Sequence, residues 1–260
     1  MNKNIETFLG CDREYGDASI VVFGAPFDST TSFRPGTRFA SRAMRSESFG
    51  LETYSPYLNR DLSDVFVFDG GDLELSFGDP ARVLNQIEAF TARLLADGKI
   101  PVMLGGEHLV TLGAFRAVFK AHPDVCLIHF DAHADLRDDY LGAPLSHASV
   151  IRRCHDLVGD GRIFQFGIRS GDKSEFEFAK VHTVLRKFDF HGLSDAVRQP
   201  RDKPVYLTID LDVLDPSVFP GPGTPEAGGV SFTELNKVIG EVCTLNIIGC
   251  DLVELAPVYD

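Results

Sequence analysis

The stretch Val125-Cys-Leu-Ile-His-Phe-Asp-Ala-His-Ala-Asp135 decides the fold, because a continuous apolar run ends abruptly in a cluster of polar side chains. A short run without alternation is typical of a strand that is buried on both faces of a parallel sheet. The cluster follows with Asp131, His133 and Asp135 at alternate positions, so an extended backbone would point all three side chains to one side. The pattern predicts a buried strand with a polar site at its carboxyl end.

Similar apolar runs alternate with amphipathic segments along nearly the whole chain. Strands are predicted at 19–24, 65–68, 100–104, 125–130, 163–166, 182–185, 204–209 and 247–253, and helices at 39–46, 82–96, 111–121, 148–157 and 232–242. This alternation predicts a three-layer αβα fold with a central, mainly parallel sheet of about eight strands. The Pro- and Gly-rich segment 215–229 is interpreted as an ordered loop of the site, so residues 1–260 are expected to form one domain.

The composition is that of an ordinary globular protein with an acidic balance. Of the 260 residues, 44% are hydrophobic and 24% are charged, which allows a sizeable core. The formal net charge of -13 argues against nucleic acid and anionic membranes as partners and is compatible with a cationic substrate. The five cysteines lack a C-x-x-C spacing, which argues against a zinc–thiolate site. Without an apolar leader or an apolar stretch of 18 residues, the protein is expected to be cytoplasmic.

Two more clusters of metal-binding side chains follow predicted strands in the same way. His108 comes after the run 100–104, and Asp210 and Asp212 come after the run 204–209. Ligands of open α/β sheets bind beyond the carboxyl ends of the strands, so the three clusters should meet at one rim. A single pair of such residues is more often a helix cap or a surface ion pair. Three clusters after three strands favour a metal site.

The candidate ligands are two imidazoles and four carboxylates, which would be costly to bury without a cation. Imidazole and carboxylate without thiolate suit Mn²⁺ better than structural zinc. Six ligands exceed the set of a catalytic zinc site and favour two metals that share carboxylates and hold a nucleophilic hydroxide. Four carboxylates also balance the charge of two divalent cations. The sequence predicts two Mn²⁺ per chain, bound by His108, Asp131, His133, Asp135, Asp210 and Asp212.

Three motifs carry a resemblance to known proteins. They are Gly-Gly-Glu-His at 105–108, Phe-Asp-Ala-His-Ala-Asp at 130–135 and Thr-Ile-Asp-Leu-Asp-Val-Leu-Asp-Pro at 208–216. With these motifs the chain resembles the ureohydrolases, the family of arginase, agmatinase and formiminoglutamase, and it is most similar to agmatinase. The resemblance covers nearly the whole chain and implies an arginase-like fold. It also implies that His108 and Asp135 complete one metal site, that His133 and Asp212 complete the other, and that Asp131 and Asp210 bridge the two.

The resemblance further implies three catalytic residues. Asp135 would hydrogen-bond the bridging hydroxide and help to move its proton to the leaving amine. Glu254 would pair with the substrate guanidinium, whose planar charged donors suit a carboxylate; a strand-end salt bridge is the alternative. His147 matches the proton shuttle of the family, with packing at a helix start, capped by Ser146, as the alternative. His129, inside the buried strand, is interpreted as a hydrogen-bonded core histidine.

The predicted reaction is hydrolysis of the guanidinium group of agmatine to putrescine and urea. The loop 136–142 lacks the Asn- and Thr-rich character of arginase, and its Asp138 and Asp139 are expected to favour a small substrate with a cationic tail. Arginine, guanidinobutyrate and formiminoglutamate are alternative substrates. The sequence leaves open two other functions, namely a single-zinc hydrolase of acylpolyamines and a metal-binding homologue without catalytic activity.

The family also sets expectations about assembly and about the end of the chain. Ureohydrolases are commonly trimers or hexamers, so we expect a homo-oligomer. The sequence stops at Asp260, soon after Glu254, whereas members of the family usually continue through another helix. The single ureohydrolase domain is therefore expected to lack that C-terminal helix.

Overall fold

A parallel sheet of eight strands forms the centre of the computed structural model, which describes residue 1 and residues 4–260. The strands are β1 Ile20–Gly24, β2 Tyr54–Ser55, β3 Arg60–Asp61, β4 Val67–Asp72, β5 Ile100–Leu104, β6 Cys126–Phe130, β7 Ile163–Ile168, β8 Val184–Lys187, β9 Pro204–Asp210 and β10 Asn246–Val253. The helices are α1 Ala40–Ser48, α2 Pro80–Ala96, α3 Val110–Ala121, α4 Val150–Val158, α5 Lys173–His182, α6 Leu193–Ala196 and α7 Phe232–Val242. The sheet order is β4-β1-β5-β10-β9-β6-β7-β8 with every neighbouring pair parallel, and β2 and β3 form a separate antiparallel pair.

The sheet is covered on both faces, because its central strands are apolar at most positions. In β6, Leu127 belongs to the core that α2 to α5 cover, whereas Ile128 and Phe130 belong to the core beneath α6 and α7. All three side chains are fully buried. Alternating side chains of one strand thus fill two cores, which requires the continuous apolar run seen in the sequence. The prediction of a three-layer fold with a parallel sheet of about eight strands is confirmed.

The region between β7 and β8 differs from the prediction. The segment 182–185 was expected to be a strand, but His182 is the last residue of helix α5, and β8 begins at Val184. Helix α5 itself was not predicted, and neither were the short helix α6 and the β2–β3 pair. The cap of α5 explains its start: Asp172 and Glu175 form a capping box, in which each side chain accepts a hydrogen bond from the backbone N–H of the other.

The topology brings four central strands to a common rim. Strands β5, β10, β9 and β6 are neighbours in this order, and all run in the same direction. Their carboxyl ends therefore open onto one crevice, the usual place for a ligand in an open α/β sheet. None of the helices formed by the described residues is long and apolar enough to span a membrane.

Candidate metal and active site

His108 lies at the centre of one half of the site. It follows β5, and its Nδ1 is 3.0 Å from Asp131 Oδ2, 3.1 Å from Asp135 Oδ2 and 3.3 Å from Asp210 Oδ2. Asp131 and Asp135 come after β6, and Asp210 is the last residue of β9. One imidazole nitrogen thus faces three carboxylate oxygens, all of them buried.

His133 lies at the centre of the other half. Its Nδ1 is 2.8 Å from Asp212 Oδ2 and 3.5 Å from Asp131 Oδ1. Asp131 therefore turns one oxygen to each imidazole, as a bridging carboxylate would. Asp210 Oδ1 accepts a hydrogen bond from the backbone N–H of Asp212 at 2.9 Å. This bond fixes the Asp210 carboxylate against the backbone of the motif at 208–216. The structure brings all six sequence-predicted ligands into one cluster.

Two buried atoms of the cluster have no hydrogen-bond partner among the described residues, namely His108 Nδ1 and Asp212 Oδ2. Both are close to other polar atoms, but not along hydrogen-bonding directions. Buried polar atoms without partners are rare in folded proteins. Imidazole with carboxylate is a donor set that suits divalent ions such as Mn²⁺, and such ions would provide the partner that each of these two atoms lacks. The residues present therefore fit a metal centre.

The four buried carboxylates of the cluster also favour the binding of cations. Burial, together with the neighbouring Asp131, raises the pKa of Asp135 to about 7. Burial and the adjacent carboxylates raise the pKa of Asp210 well above its usual range. Burial alone would lower the pKa of His108 and His133, but the surrounding carboxylates raise both well above the ordinary value. Since these carboxylates hold on to protons, divalent cations would be bound at the same place.

A buried hydrogen-bonded chain orients His108 from behind. His108 Nε2 lies 3.0 Å from Thr208 Oγ1, and the Thr208 hydroxyl donates to Asp251 Oδ1 at 2.6 Å. The Tyr206 hydroxyl donates to the other oxygen of Asp251 at 2.7 Å. With its proton committed to Asp251, the Thr208 oxygen accepts from Nε2–H, which leaves Nδ1 free as a ligand atom. Sequence reasoning did not assign Thr208 and Asp251 to the site.

His129 supports Asp131 in a similar way. Its Nε2 lies 2.7 Å from Asp131 Oδ2, and the Gln165 side-chain amide lies 3.1 Å from its Nδ1. Gln165 also donates to the Ala134 carbonyl at 2.8 Å and accepts from the Thr183 hydroxyl at 3.0 Å. The interpretation of His129 as a hydrogen-bonded core histidine is confirmed, and its partner is one of the candidate metal ligands.

His147 lies in the wall of the pocket. Its Nδ1 is 3.5 Å from Thr30 Oγ1, and its Nε2 is 3.2 Å from Ser32 Oγ. Burial and the nearby imidazole of His133 lower the pKa of His147 to about 4, so its ring is neutral near pH 7. Ser146 forms a capping box with the residue three positions on, so a helix start and a pocket-facing imidazole coexist here.

Glu107 holds the loop that carries Thr30 and was not assigned a role from the sequence. It is fully buried and accepts hydrogen bonds from the Thr30 N–H at 2.8 Å, the Thr30 hydroxyl at 2.6 Å and the Thr31 hydroxyl at 3.3 Å. Burial raises its pKa to about 7. Because Thr30 Oγ1 also accepts from the His147 N–H at 3.1 Å, Glu107 connects the first motif to the candidate proton shuttle.

Glu254 follows β10 and faces the same pocket. Its Oε1 accepts the His108 N–H at 2.7 Å, and its own N–H donates to the Gly106 carbonyl at 3.0 Å. Gly106 must be glycine, since a Cβ there would lie 1.9 Å from the Phe27 carbonyl oxygen. Glu254 has φ 68° and Asp135 has φ 52°. Positive φ is uncommon outside glycine and concentrates at functional sites.

The crevice forms a cavity of about 370 Å³. It is lined by Ser32, His108, His133, Ala134, Asp135, Arg137, Tyr140, His147, Ala148, Ser170, Gly171, Asp172, Glu175, Asp210, Thr224 and Glu254. Asp138 and Asp139 are not among the lining residues. Asp138 pairs with Arg153 at 2.6 Å, and Asp139 accepts the Gly142 N–H at 2.7 Å. The structure therefore does not support a role for these two carboxylates in substrate choice.

Carboxylates other than Asp138 and Asp139 lie in and next to the cavity. Asp172 and Glu175, from the cap of α5, line the cavity together with Arg137. Arg137 is paired with both, at 2.9 Å to Asp172 and 3.4 Å to Glu175. Glu226 lies 3.8 Å from His133 Nε2 and accepts a hydrogen bond from the Ser170 hydroxyl at 2.9 Å. Recognising Asp172 and Glu175 required the helix α5, which was not predicted from the sequence.

Comparison with known proteins agrees with this geometry. A sequence model of the arginase family matches residues 18–260. The chain is 48% identical to an agmatinase of Bacillus anthracis and 46% identical to an agmatinase of Bacillus subtilis, each over 98% of this chain and 89% of the relative. The crystal structure of a candidate agmatinase from Clostridium difficile superposes with a TM-score of 0.92 at 52% identity, over 95% of this chain and 91% of that one. The chain therefore belongs to the arginase family, and the prediction of an amidinohydrolase is confirmed.

Proposed function

We propose that the chain is a dinuclear manganese amidinohydrolase that cleaves agmatine to putrescine and urea. The observation that carries the proposal is the convergence of six imidazole and carboxylate ligands on a cavity with an acidic lining. Five carboxylates line the cavity, whereas its one arginine, Arg137, is already paired with Asp172 and Glu175. Such a lining attracts a substrate with positive charge at both ends.

The substrate choice is supported by the relatives and by the charge of the pocket. Two of the similar proteins, at 46% and 48% identity, are agmatinases. Agmatine carries a guanidinium group and a distant amine, and both are complementary to carboxylates. Arginine, guanidinobutyrate and formiminoglutamate carry a carboxylate instead or in addition, which would approach Asp172 and Glu175 at an electrostatic cost.

The proposed roles of the residues follow from their positions. Two Mn²⁺ ions, when bound by the six ligands, supply Lewis acidity and an activated water. Glu254 offers a carboxylate to the planar guanidinium fork and is held in place by the His108 N–H. Asp135 takes up the proton of the attacking water and passes it to the leaving amine. His147, neutral near pH 7, exchanges protons between the cavity and solvent.

Urea release from a panel of guanidino compounds tests the proposal. Protein loaded with Mn²⁺ should release urea from agmatine faster than from arginine or guanidinobutyrate, and elemental analysis should find two manganese ions per chain. Faster release from arginine would overturn the substrate, and one zinc ion per chain would overturn the dinuclear centre. No urea from any of these compounds and no formamide from formiminoglutamate would favour the non-catalytic alternative.

A pair of histidine variants tests the site itself. His133→Ala removes a proposed ligand and should abolish urea release, whereas His191→Ala changes an exposed histidine away from the cavity and should leave it unchanged. Unchanged activity in the first variant would refute the ligand assignment. The proposal includes assembly into a trimer or hexamer, which light scattering during size-exclusion chromatography measures.

A further inference from the structure

A second group of metal-binding side chains lies away from the active site, and we will call it the amino-edge cluster. It consists of His155, Asp160 and His182, whose ligand atoms all lie within 4.8 Å of one another. Among the described residues it is the only such group outside the centre around Asp131. We propose that the amino-edge cluster is a second metal site that binds one Zn²⁺.

The position of the cluster separates it from the catalytic rim. His155 is in the last turn of α4, Asp160 is in the loop that leads into β7, and His182 ends α5 just before β8. The loops that enter parallel strands lie at the amino edge of the sheet, whereas the active site lies at the carboxyl edge. The two sites therefore lie at opposite ends of β7.

The donor atoms converge on one carboxylate oxygen. Asp160 Oδ1 is 2.8 Å from His155 Nε2 and 2.7 Å from His182 Nδ1. In a tetrahedral zinc site with bonds of about 2.0–2.1 Å, neighbouring ligand atoms are about 3.3 Å apart. Each imidazole–carboxylate distance would thus have to widen by roughly half an ångström to make room for the ion, with water as the fourth ligand.

Neighbouring groups hold the two imidazoles in place. The Phe178 ring stacks on His182 with centroids 4.2 Å apart and meets the edge of His155 at 5.0 Å. The guanidinium carbon of Arg152 lies 3.9 Å from the centroid of the same ring. Asp160 is flanked by Gly159 and Gly161, both with positive φ, which turn the loop back towards His182. Little side-chain freedom would be lost when a metal binds.

The charge and type of the donors favour zinc. Asp160 is exposed, and the hydrogen bonds from His155 and His182 lower its pKa, so it is ionised near neutral pH. Two imidazoles and one carboxylate bind Zn²⁺ more tightly than Mn²⁺, which follows the order of divalent ions for nitrogen ligands. A bound ion would join α4 to α5, and hence to the edge strand β8. The inference does not depend on the substrate of the active site.

Counting bound zinc in matched variants tests the inference. Asp160→Asn and His182→Ala remove ligands of the amino-edge cluster, while His191→Ala removes an exposed histidine elsewhere. In equilibrium dialysis against Zn²⁺, wild type and the His191 variant should bind one more ion per chain than the two cluster variants. Because all of these proteins keep the same active site, zinc bound there cancels from the difference.

Stability and activity provide the second readout. Zn²⁺ at a hundredfold excess over its Kd should raise the Tm of wild type by roughly 5–10 °C more than that of Asp160→Asn. Urea release with Mn²⁺ alone should be within twofold in all variants, which shows that they are folded. Equal zinc stoichiometry and equal Tm shifts in wild type and Asp160→Asn would overturn the inference.

Discussion

Replacing Thr208 with valine removes a hydroxyl without changing the shape of the side chain, and it interrupts the chain behind His108. The hydroxyl makes three buried contacts, at 3.0 Å to His108 Nε2, 2.6 Å to Asp251 Oδ1 and 3.4 Å to Thr111 Oγ1. Each buried group left without its partner costs about 1–3 kcal/mol, so loss of the His108 and Asp251 contacts should lower the free energy of unfolding by about 2–6 kcal/mol. Loss of an outer-shell partner typically weakens metal binding 10–100-fold, which corresponds to about 1.4–2.7 kcal/mol.

Calorimetric titration with Mn²⁺ and thermal unfolding measure these two effects separately. Thr91→Val is the matched control, because Thr91 is also fully buried, but its hydroxyl has no hydrogen-bond partner in the described part of the chain. That variant should bind Mn²⁺ as wild type does and should be at least as stable. If the Mn²⁺ affinity of Thr208→Val were within twofold of the control, the hydroxyl would not orient the ligand and the reasoning would fail.

Four further changes have defined outcomes. His147→Asn should lower kcat about 10²-fold or more with unchanged manganese content, and added imidazole should restore part of the rate; full activity without imidazole contradicts the shuttle. Glu254→Gln keeps an acceptor for the His108 N–H but removes the charge, so KM for agmatine should rise at least about tenfold with metal retained. Removal of metal by EDTA should lower Tm, and Mn²⁺ at about 100 times its Kd should restore about 2.7 kcal/mol; an unchanged Tm would show that no metal was bound. Hydrogen bonds from Ser217, Gly228 and Gly229 hold the pKa of Asp215 below its ordinary value of 3.8. These hydrogen bonds stabilise the folded state fully above about pH 3.8, and the stabilisation is lost as pH falls through the pKa of Asp215 in the folded protein. The Tm difference between wild type and Asp215→Asn should therefore be largest near pH 6 and shrink towards pH 3.

The strands and the candidate ligands were predictable because each depends on a short local pattern. The stretch around Phe130 combines a continuous apolar run with polar residues directly after it, and both properties have one structural explanation. The same pattern recurs before His108 and Asp210. Since parallel strands share one rim, no knowledge of the strand order was needed to bring these residues together.

Helix α5 was not predictable from periodicity, because its sequence alternates like a strand. Phe176 and Phe178 are two positions apart with the charged Glu177 between them, and only Glu175 and Ala179 of this helix are buried. The usable signal was the cap, Asp172 followed three residues later by Glu175. Because helix α5 was not predicted, the acidic side of the pocket was assigned to Asp138 and Asp139 instead.

The residues that hydrogen-bond to the candidate ligands and to the loops of the site were not predictable, for a different reason. Thr208 and Asp251 are 43 positions apart, and the hydrogen bond from Thr30 to Glu107 spans 77 positions. Such pairs form only through the order of the strands and the course of the loops, which no local pattern specifies. The candidate metal ligands can be predicted from the local sequence, whereas their hydrogen-bond partners can be identified only in the folded structure.

The position of β10 in the sheet has a consequence for the folding of this protein during translation. This strand, formed by residues 246–253, lies between β5 and β9 and joins the half-sheet β4-β1-β5 to the half-sheet β9-β6-β7-β8. His108 belongs to the first half, and Asp131 and Asp210 belong to the second. A nascent chain in which β10 is still in the exit tunnel therefore has Asp131, His133, Asp210 and Asp212 together in one half-sheet but lacks the strand that places His108 beside them. Uptake of the metal that His108 binds should therefore be among the last events of biogenesis, after translation of the strand that closes the gap.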